Sequence, residues 1–273
     1  MKFAYGQRNI KLALSSLLTK VKNIHKLLPN NSDPFIFNKD KFPMNGGRDA
    51  RIIECSNELF IRQGYKATTM RQLAEAADTS LGLSTYHFRS KRNIAICIMT
   101  EYLKYLKTAL ANLHNAQKSP LSHSAAMVRL CMEFFMSQPC KQFYLECLEL
   151  EIYMESIKSL GVESSSSIAK AFKLDVKPDL LLLFDNYVPP SVERILIIEK
   201  NRGLFQGITW DEIPDIIFGL TMERYIDKAK IKNASKKGKE IARKVLETIP
   251  SDITKTLFLD NSPSCISQGP GRH

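Results

Sequence analysis

Between positions 69 and 91, eight of the side chains that can exchange hydrogen bonds with an anion or with the edge of a nucleobase are candidate contacts: Thr69, Arg71, Ser80, Ser84, Thr85, Tyr86, His87 and Lys91. Hydroxyls and imidazole both give and take protons, a guanidinium forks onto two acceptors, and an ammonium acts as a point charge. Leu81 and Leu83 lie among them and offer only apolar contact, for example to a thymine methyl. This is the chemistry of recognition rather than of bond breaking. Elsewhere no nucleophile–base pairing, phosphate loop, paired carboxylates or metal-ligand spacing stands out, so no catalytic residue, metal or cofactor is assigned. The six cysteines, Cys55, Cys97, Cys131, Cys140, Cys147 and Cys265, are scattered without a C-x-x-C pair. That suits a reduced, cytoplasmic chain with buried thiols; a redox pair of Cys140 and Cys147 is the alternative.

Short helices must hold these residues. Ile52, Ile53, Leu59 and Phe60 recur at helical steps and give a first helix one apolar face. Gly64 closes it, since glycine takes the left-handed conformation without a Cβ penalty. Thr69 and Gln72 form a capping box for a second helix, with Met70, Leu73, Ala74 and Ala77 on one face. Asp78 and Thr79 make a turn, Ser80 caps a third helix from Leu81 to about His87, and Ser90 caps a long helix from Lys91. Two short helices joined by a tight turn, with polar and small side chains on the second, have the shape that enters a DNA major groove.

Residues 48–94 resemble the DNA-binding domain of the TetR (tetracycline-repressor) family of bacterial transcriptional regulators. The resemblance is carried by Phe60, Gly64, Tyr65, Thr68, Thr69, Arg71, Leu73, Ala74, Ala77, Ser80, Gly82, Tyr86, Phe88, Ser90 and Lys91. The chain departs from the family where Ser84 and Thr85 stand for a leucine and a tyrosine, Asp78 for the glycine of the turn, and Thr79 for an apolar residue. The resemblance implies that Thr69 and Lys91 contact phosphate, that Arg71 can reach a base edge, and that Leu81 and Leu83 lie where bases are touched. Tyr86 and His87 are candidate groove or backbone contacts. Against these stand blander roles: His87 satisfying a turn carbonyl, Arg71 paired with Glu75, and Tyr86 half-buried in packing.

At 273 residues the chain can build one large or two modest cores, and its 44% hydrophobic and 25% charged shares are those of a globular protein. No apolar run approaches the roughly 20 residues that cross a bilayer, so no integral membrane association is expected. Charge is uneven: +6 over residues 1–47, +3 over 48–95 and +2 over the rest. The positive end is the one expected to meet phosphates. In residues 1–47 a heptad seam of Ile10, Leu14, Leu17, Val21, Ile24 and Leu28 forms a basic amphipathic extension, followed by a Pro/Gly linker. It could lie on a membrane surface, pack on the body or a partner, or reach along DNA; equally, Met44 could be the true start. A membrane-surface or partner-binding helical protein using this extension is the alternative to a DNA-binding regulator.

Residues 95–255 read as helical throughout. Helices are expected over Lys91 to about Ala116, Ala125–Met136, Lys141–Leu160 (apolar all round, hence buried), Asp179–Tyr187 and Ser191–Asn201, with Ser164–Ser167 a loop. Thr209 and Glu212 form a second capping box for a helix running to about Lys228, with Ile213, Ile216, Ile217 and Leu220 on one face. Ile241, Val245, Leu246 and Ile249 form a similar stripe before Pro250. In the family such a C-terminal pair meets its twin, so the resemblance implies a homodimer through these eight residues. Met127, Cys131, Phe134, Phe135, Phe143, Tyr144, Cys147 and Tyr153 could line an apolar pocket for a small-molecule effector, or could be plain core. Residues 256–273 lack periodicity and are expected to be a disordered tail. The expectation is therefore an all-α, two-domain protein with double-stranded operator DNA, its own twin and an apolar effector as partners.

Overall fold

Several helices of this chain start where a side chain takes up the free amides of a first turn. Thr69 Oγ1 accepts from Gln72 N at 3.2 Å, Ser80 Oγ from Leu83 N at 3.1 Å, Ser90 Oγ from Asn93 N at 3.2 Å, and Asp227 Oδ1 from Ala229 N at 2.8 Å. The computed structural model describes residues 47–160 and 164–258; among these there are thirteen helices and no strand. The N-terminal heptad seam, the linker, Cys265 and most of the tail lie outside the described residues.

The reading head comprises α1 (Gly47–Gln63), α2 (Met70–Ala76) and α3 (Leu81–Phe88). The body follows as α4 (Lys91–Leu113), α5 (Pro120–Met136), α6 (Lys141–Glu149), α7 (Ile152–Leu160), α8 (Ser164–Phe172), α9 (Pro178–Asn186), α10 (Val188–Asn201), α11 (Ile213–Met222), α12 (Lys228–Thr248) and α13 (Ile253–Thr256). One apolar core runs from Ile52 and Phe60 in the head to Val245 and Phe258 at the other end of the chain. Phe60 stacks on Phe143 at 5.2 Å, so the head is packed into the body rather than strung beside it. A smaller cluster of Leu121, Ala125, Ile168, Phe218, Met222 and Ile231 joins α5, α8, α11 and α12. Helix α12 lies so close along α5 that a Cβ on Gly238 would come within 2.8 Å of both Ala125 Cβ and Ala126 N.

Four expectations are corrected. Lys141–Leu160 is two helices, not one: Glu151 has φ 61°, and the carbonyls freed at the break are taken by Arg92 Nη1 (Leu150 O, 2.7 Å) and Arg194 Nε (Leu148 O, 3.0 Å). The serine run opens α8 instead of forming a loop, because Asp185 Oδ1 accepts from Ser165 N at 2.8 Å and Ile168 is buried. Order continues past Thr256, where Phe258 is buried and meets Tyr102 edge-on at 5.6 Å. The helix after the Thr209–Glu212 box ends at Met222, short of Lys228, with Asp227 already capping α12.

Candidate nucleic-acid interface and internal cavity

The turn between α2 and α3 settles which side chains face outward. Asp78 takes the left-handed position at φ 52°, the place where the family has glycine and where aspartate is tolerated through its short polar side chain. With Ser80 as cap, α3 then turns Phe88 into the small core, against Leu73 and Ala77 at the end of α2. Exposed on α3 are Leu81 (43%) at its first turn, Thr85 at the edge of the buried side, and Tyr86 (80%) opposite Phe88. Arg71 and Thr69 are exposed at the start of α2, and Ser80 at the cap. Among the described residues no ion pair joins Arg71 to Glu75.

Several sequence-assigned contacts sit elsewhere. Ser84 is fully buried and cannot touch a base; it falls on the core side of α3, next in line to Phe88. Leu83 is half-buried. His87 is half-buried, with Nδ1 3.0 Å from Asp49 Oδ1 of α1, rather than reaching out or meeting a turn carbonyl. Lys91 donates from Nζ to the carbonyls of Tyr65 (2.8 Å) and Thr68 (2.6 Å) and lies 4.1 Å from the centre of the Tyr65 ring. Two of its three protons thus pin the 64–69 loop, and burial lowers its pKa.

The body grips the head at more than one place. Gly64 has φ +84°, and a Cβ there would meet Gln142 Nε2 at 2.5 Å. From the same α6, Glu146 accepts from Lys66 N at 2.7 Å and Glu149 forms an ion pair with the Lys66 ammonium. That pairing raises the pKa of Lys66 and lowers that of Glu149. Arg92 bridges α4 to Glu155 of α7 at 2.7 Å. A buried chain from Tyr102 OH to Asn57 Oδ1 (2.8 Å) and from Asn57 Nδ2 to Thr254 O (2.6 Å) ties α4, α1 and α13 together.

Behind the head, the body holds a partly open pocket of about 90 Å³ between α4, α5, α7, α8, α9, α10 and α11. Met127, Cys131 and Tyr153 line it as the sequence suggested. Phe134, Phe135, Phe143, Tyr144 and Cys147 do not. They form the stacked core, with Phe135 on Tyr144 at 5.1 Å and Phe143 on Phe60. The feature that sequence reading missed is polar: Glu193, 4% exposed, lines the cavity with Asp185. Tyr144 OH donates to Glu193 Oε1, and Tyr153 is a second hydrogen-bond partner. Burial pushes the Glu193 carboxyl up to about 7, although both tyrosines oppose this; the same burial raises both phenols and the Cys131 thiol. Cys140 and Cys147 are free and buried with raised pKa, which makes them poor thiolates and weakens the redox reading.

Of the residues assigned to a dimer face, Ile213, Ile217 and Val245 are buried in the chain's own core, because α11 and α12 lie against α5 and α10; these three cannot meet a twin. Ile216, Leu220, Ile241, Leu246 and Ile249 are half-buried against the same core. Sequence reading also missed Arg129, 1% exposed, whose guanidinium meets Glu133 (3.0 Å), Asp211 (2.9 Å) and Asp215 (3.0 Å) and fixes the start of α11 on α5.

Residues 52–96 match the family model described as bacterial regulatory proteins, tetR family. Over 49 residues the chain is 37% identical to the HTH-type transcriptional regulator QacR of Staphylococcus aureus (strain Mu50 / ATCC 700699), a stretch that is 18% of this chain. It spans only 26% of the length of QacR. Among solved structures, RolR without ligand superposes with a TM-score of 0.52 at 11% identity, covering 68% of this chain and 96% of RolR, which shows a shared fold. A gamma-butyrolactone receptor aligns over 72% of this chain and 97% of its own, at 12% identity and a TM-score of 0.41.

Proposed function

We propose that the chain, whose residues 52–96 match the model of the tetR family of bacterial regulatory proteins, is a member of that family and a sequence-specific DNA-binding transcriptional regulator. In this reading it is a cytoplasmic, ligand-responsive repressor that binds a palindromic operator as a homodimer. The observation that carries the reading is the outward face of α3, where Leu81, Thr85 and Tyr86 stand clear of the core beside exposed Arg71. A helix whose inner side is fixed by Phe88 and whose outer side offers hydroxyls and an apolar tip suits a major groove. Thr69 and Ser80 flank it toward the phosphates, and Arg71 is the candidate for a base edge. Among the described residues no helix is long and apolar enough to cross a membrane, and no cluster of metal ligands competes with this site.

Two heads about 35 Å apart would meet successive major grooves on one side of the duplex. A twin is best accommodated beside the partly exposed Ile216 and Leu220 of α11, since the outer side of α12 is rich in lysine and would repel its copy. Helix α6 supports a route from cavity to head: Tyr144 holds Glu193 at one side, while Gln142, Glu146 and Glu149 hold Gln63 and Lys66 at the other. A molecule that binds better to one position of α6 than to another therefore shifts the spacing of the heads; equal affinity for both would shift nothing. Selection of bound fragments from a random DNA pool at near-physiological salt tests the reading. A recurrent inverted repeat supports it, and a pool that stays random removes it.

A further inference from the structure

Helix α12 carries a charge that the rest of the body does not. Its 21 residues hold eight Lys/Arg and two Glu, a net +6, whereas the remainder of residues 96–273 holds fifteen and nineteen, a net −4. The inner side of the helix fixes its rotation: Ile231, Ala234, Gly238, Ala242 and Val245 are buried, with Gly238 pressed on Ala125 and Ala126 of α5. On the exposed surface Lys228, Lys232, Lys236, Lys239 and Arg243 follow one another at steps of three or four residues, so they form one row. At 1.5 Å per residue the row is roughly 22 Å long, with a cation about every 6 Å. Lys239 is held by Asp211 at 2.6 Å, and Arg243 lies 3.7 Å from Glu247. Lys228, Lys232 and Lys236 are exposed, and among the described residues none of the three has a carboxylate partner.

We propose that this row is a second DNA-binding surface, on the body instead of the head, which takes the phosphate backbone of duplex DNA without regard to sequence. Duplex DNA carries one negative charge per about 1.7 Å of its axis, so a row of this length faces phosphates wherever along the duplex it comes to rest. Ammoniums on flexible four-carbon stems release counterions from such a polyanion and read no base. Glu240 and Glu247 both lie beyond Lys236, so the turns from Lys228 to Lys236 carry no carboxylate of their own. A membrane surface fits less well: a basic helix holds to lipid by inserting its apolar face, and that face of α12 is occupied by α5. With the head engaged on one stretch of DNA, α12 can hold another, which keeps the protein near DNA between binding events. The proposal rests on the packing of α12 and not on the reading of α3.

Lysine footprinting of the full chain reads the surface directly. The protein is briefly acetylated with and without an excess of random-sequence duplex, and each lysine is scored by mass spectrometry. At low salt Lys228, Lys232 and Lys236 should be protected several-fold, and the protection should vanish at high salt. Lys158 and Lys177, exposed on α7 and at the cap of α9, should not change. The triple variant Lys228→Gln, Lys232→Gln, Lys236→Gln alters only exposed side chains of similar helix propensity. It should bind the same duplex more than about tenfold more weakly at low salt, with the slope of log affinity against log salt shallower by about 2 to 3. Lys228→Arg, Lys232→Arg, Lys236→Arg should retain wild-type affinity and slope. Protection confined to Lys66 and Lys91 of the head, an unchanged slope in the glutamine variant, or protection by phosphatidylglycerol vesicles and not by duplex would overturn the proposal. The random duplex needs no operator, so failure to select a DNA site would remove the regulator reading and leave this result standing.

Discussion

Replacing Glu193 by glutamine isolates the stability that this chain forgoes by burying a carboxyl at its centre. Folding lifts the group from an ordinary value of 4.5 to about 7. Between those two values the folded state holds a proton that the unfolded state has already released, so wild-type stability falls as pH rises through that window. Each unit of pKa difference corresponds to about 1.4 kcal/mol, which makes the full loss on the order of 3 kcal/mol above pH 7. Glutamine is nearly isosteric, offers Tyr144 the same kind of acceptor and does not ionise. Urea unfolding of both proteins from pH 4 to 8 supplies the assay. Groups such as Glu149 and Asp211, whose pKa values are lowered by Lys66 and Lys239 and which stabilise in the opposite sense, titrate in both proteins and cancel in the difference. The two should be nearly equal near pH 4, with glutamine ahead by roughly 3 kcal/mol at pH 8. A difference that does not change with pH, or a glutamine variant that is the weaker at pH 8, would refute the buried-carboxyl argument.

Other sites give sharper local expectations. Lys91→Ala removes two charge-assisted hydrogen bonds and the contact with the Tyr65 ring, so it should lower stability by about 2 kcal/mol and Tm by several degrees. A loss of DNA affinity without a change in Tm would mean instead that Lys91 acts on phosphate alone. Gly238→Ala sets a methyl 2.8 Å from backbone and side-chain atoms of α5. It should destabilise by about 1–3 kcal/mol despite alanine's better helix propensity, and a stabilised variant in thermal unfolding would show the crossing to be looser. Tyr102→Phe leaves Asn57 Oδ1 without its donor and should cost about 1–3 kcal/mol, read by urea unfolding; a neutral outcome would remove the α4–α1–α13 tie from the account.

The helix starts of the head were legible because they depend on two residues three apart: Thr69 with Gln72, and the serine caps at 80 and 90. The register of α3 was not. An eight-residue helix carries too few apolar positions to distinguish Ser84 from Thr85, and only packing against α2 and α4 turns one inward. The stripe on α11 and α12 was found but misassigned in part, since an apolar face looks the same whether it meets its own chain or a twin. Gly238 is a sign that sequence reading could have used, because a glycine inside a helix marks close approach. Glu193 had a signal as well: it occupies the buried face shared by Val192, Leu196 and Ile197, where a charge is out of place. The break at Leu150 had none, for Arg92 and Arg194 reach it from distant helices.

The central claim is that the outward face of α3 reads sequence, and repeated fragment selection with variants tests it most directly. Wild-type protein and Ser84→Ala, whose side chain is buried, should recover the same inverted repeat. A Thr85→Ala, Tyr86→Ala double variant should fold normally yet lose preference at one or more positions in each half-site, with about 1–3 kcal/mol of discrimination lost per contact. The same motif recovered from all three proteins would contradict the account.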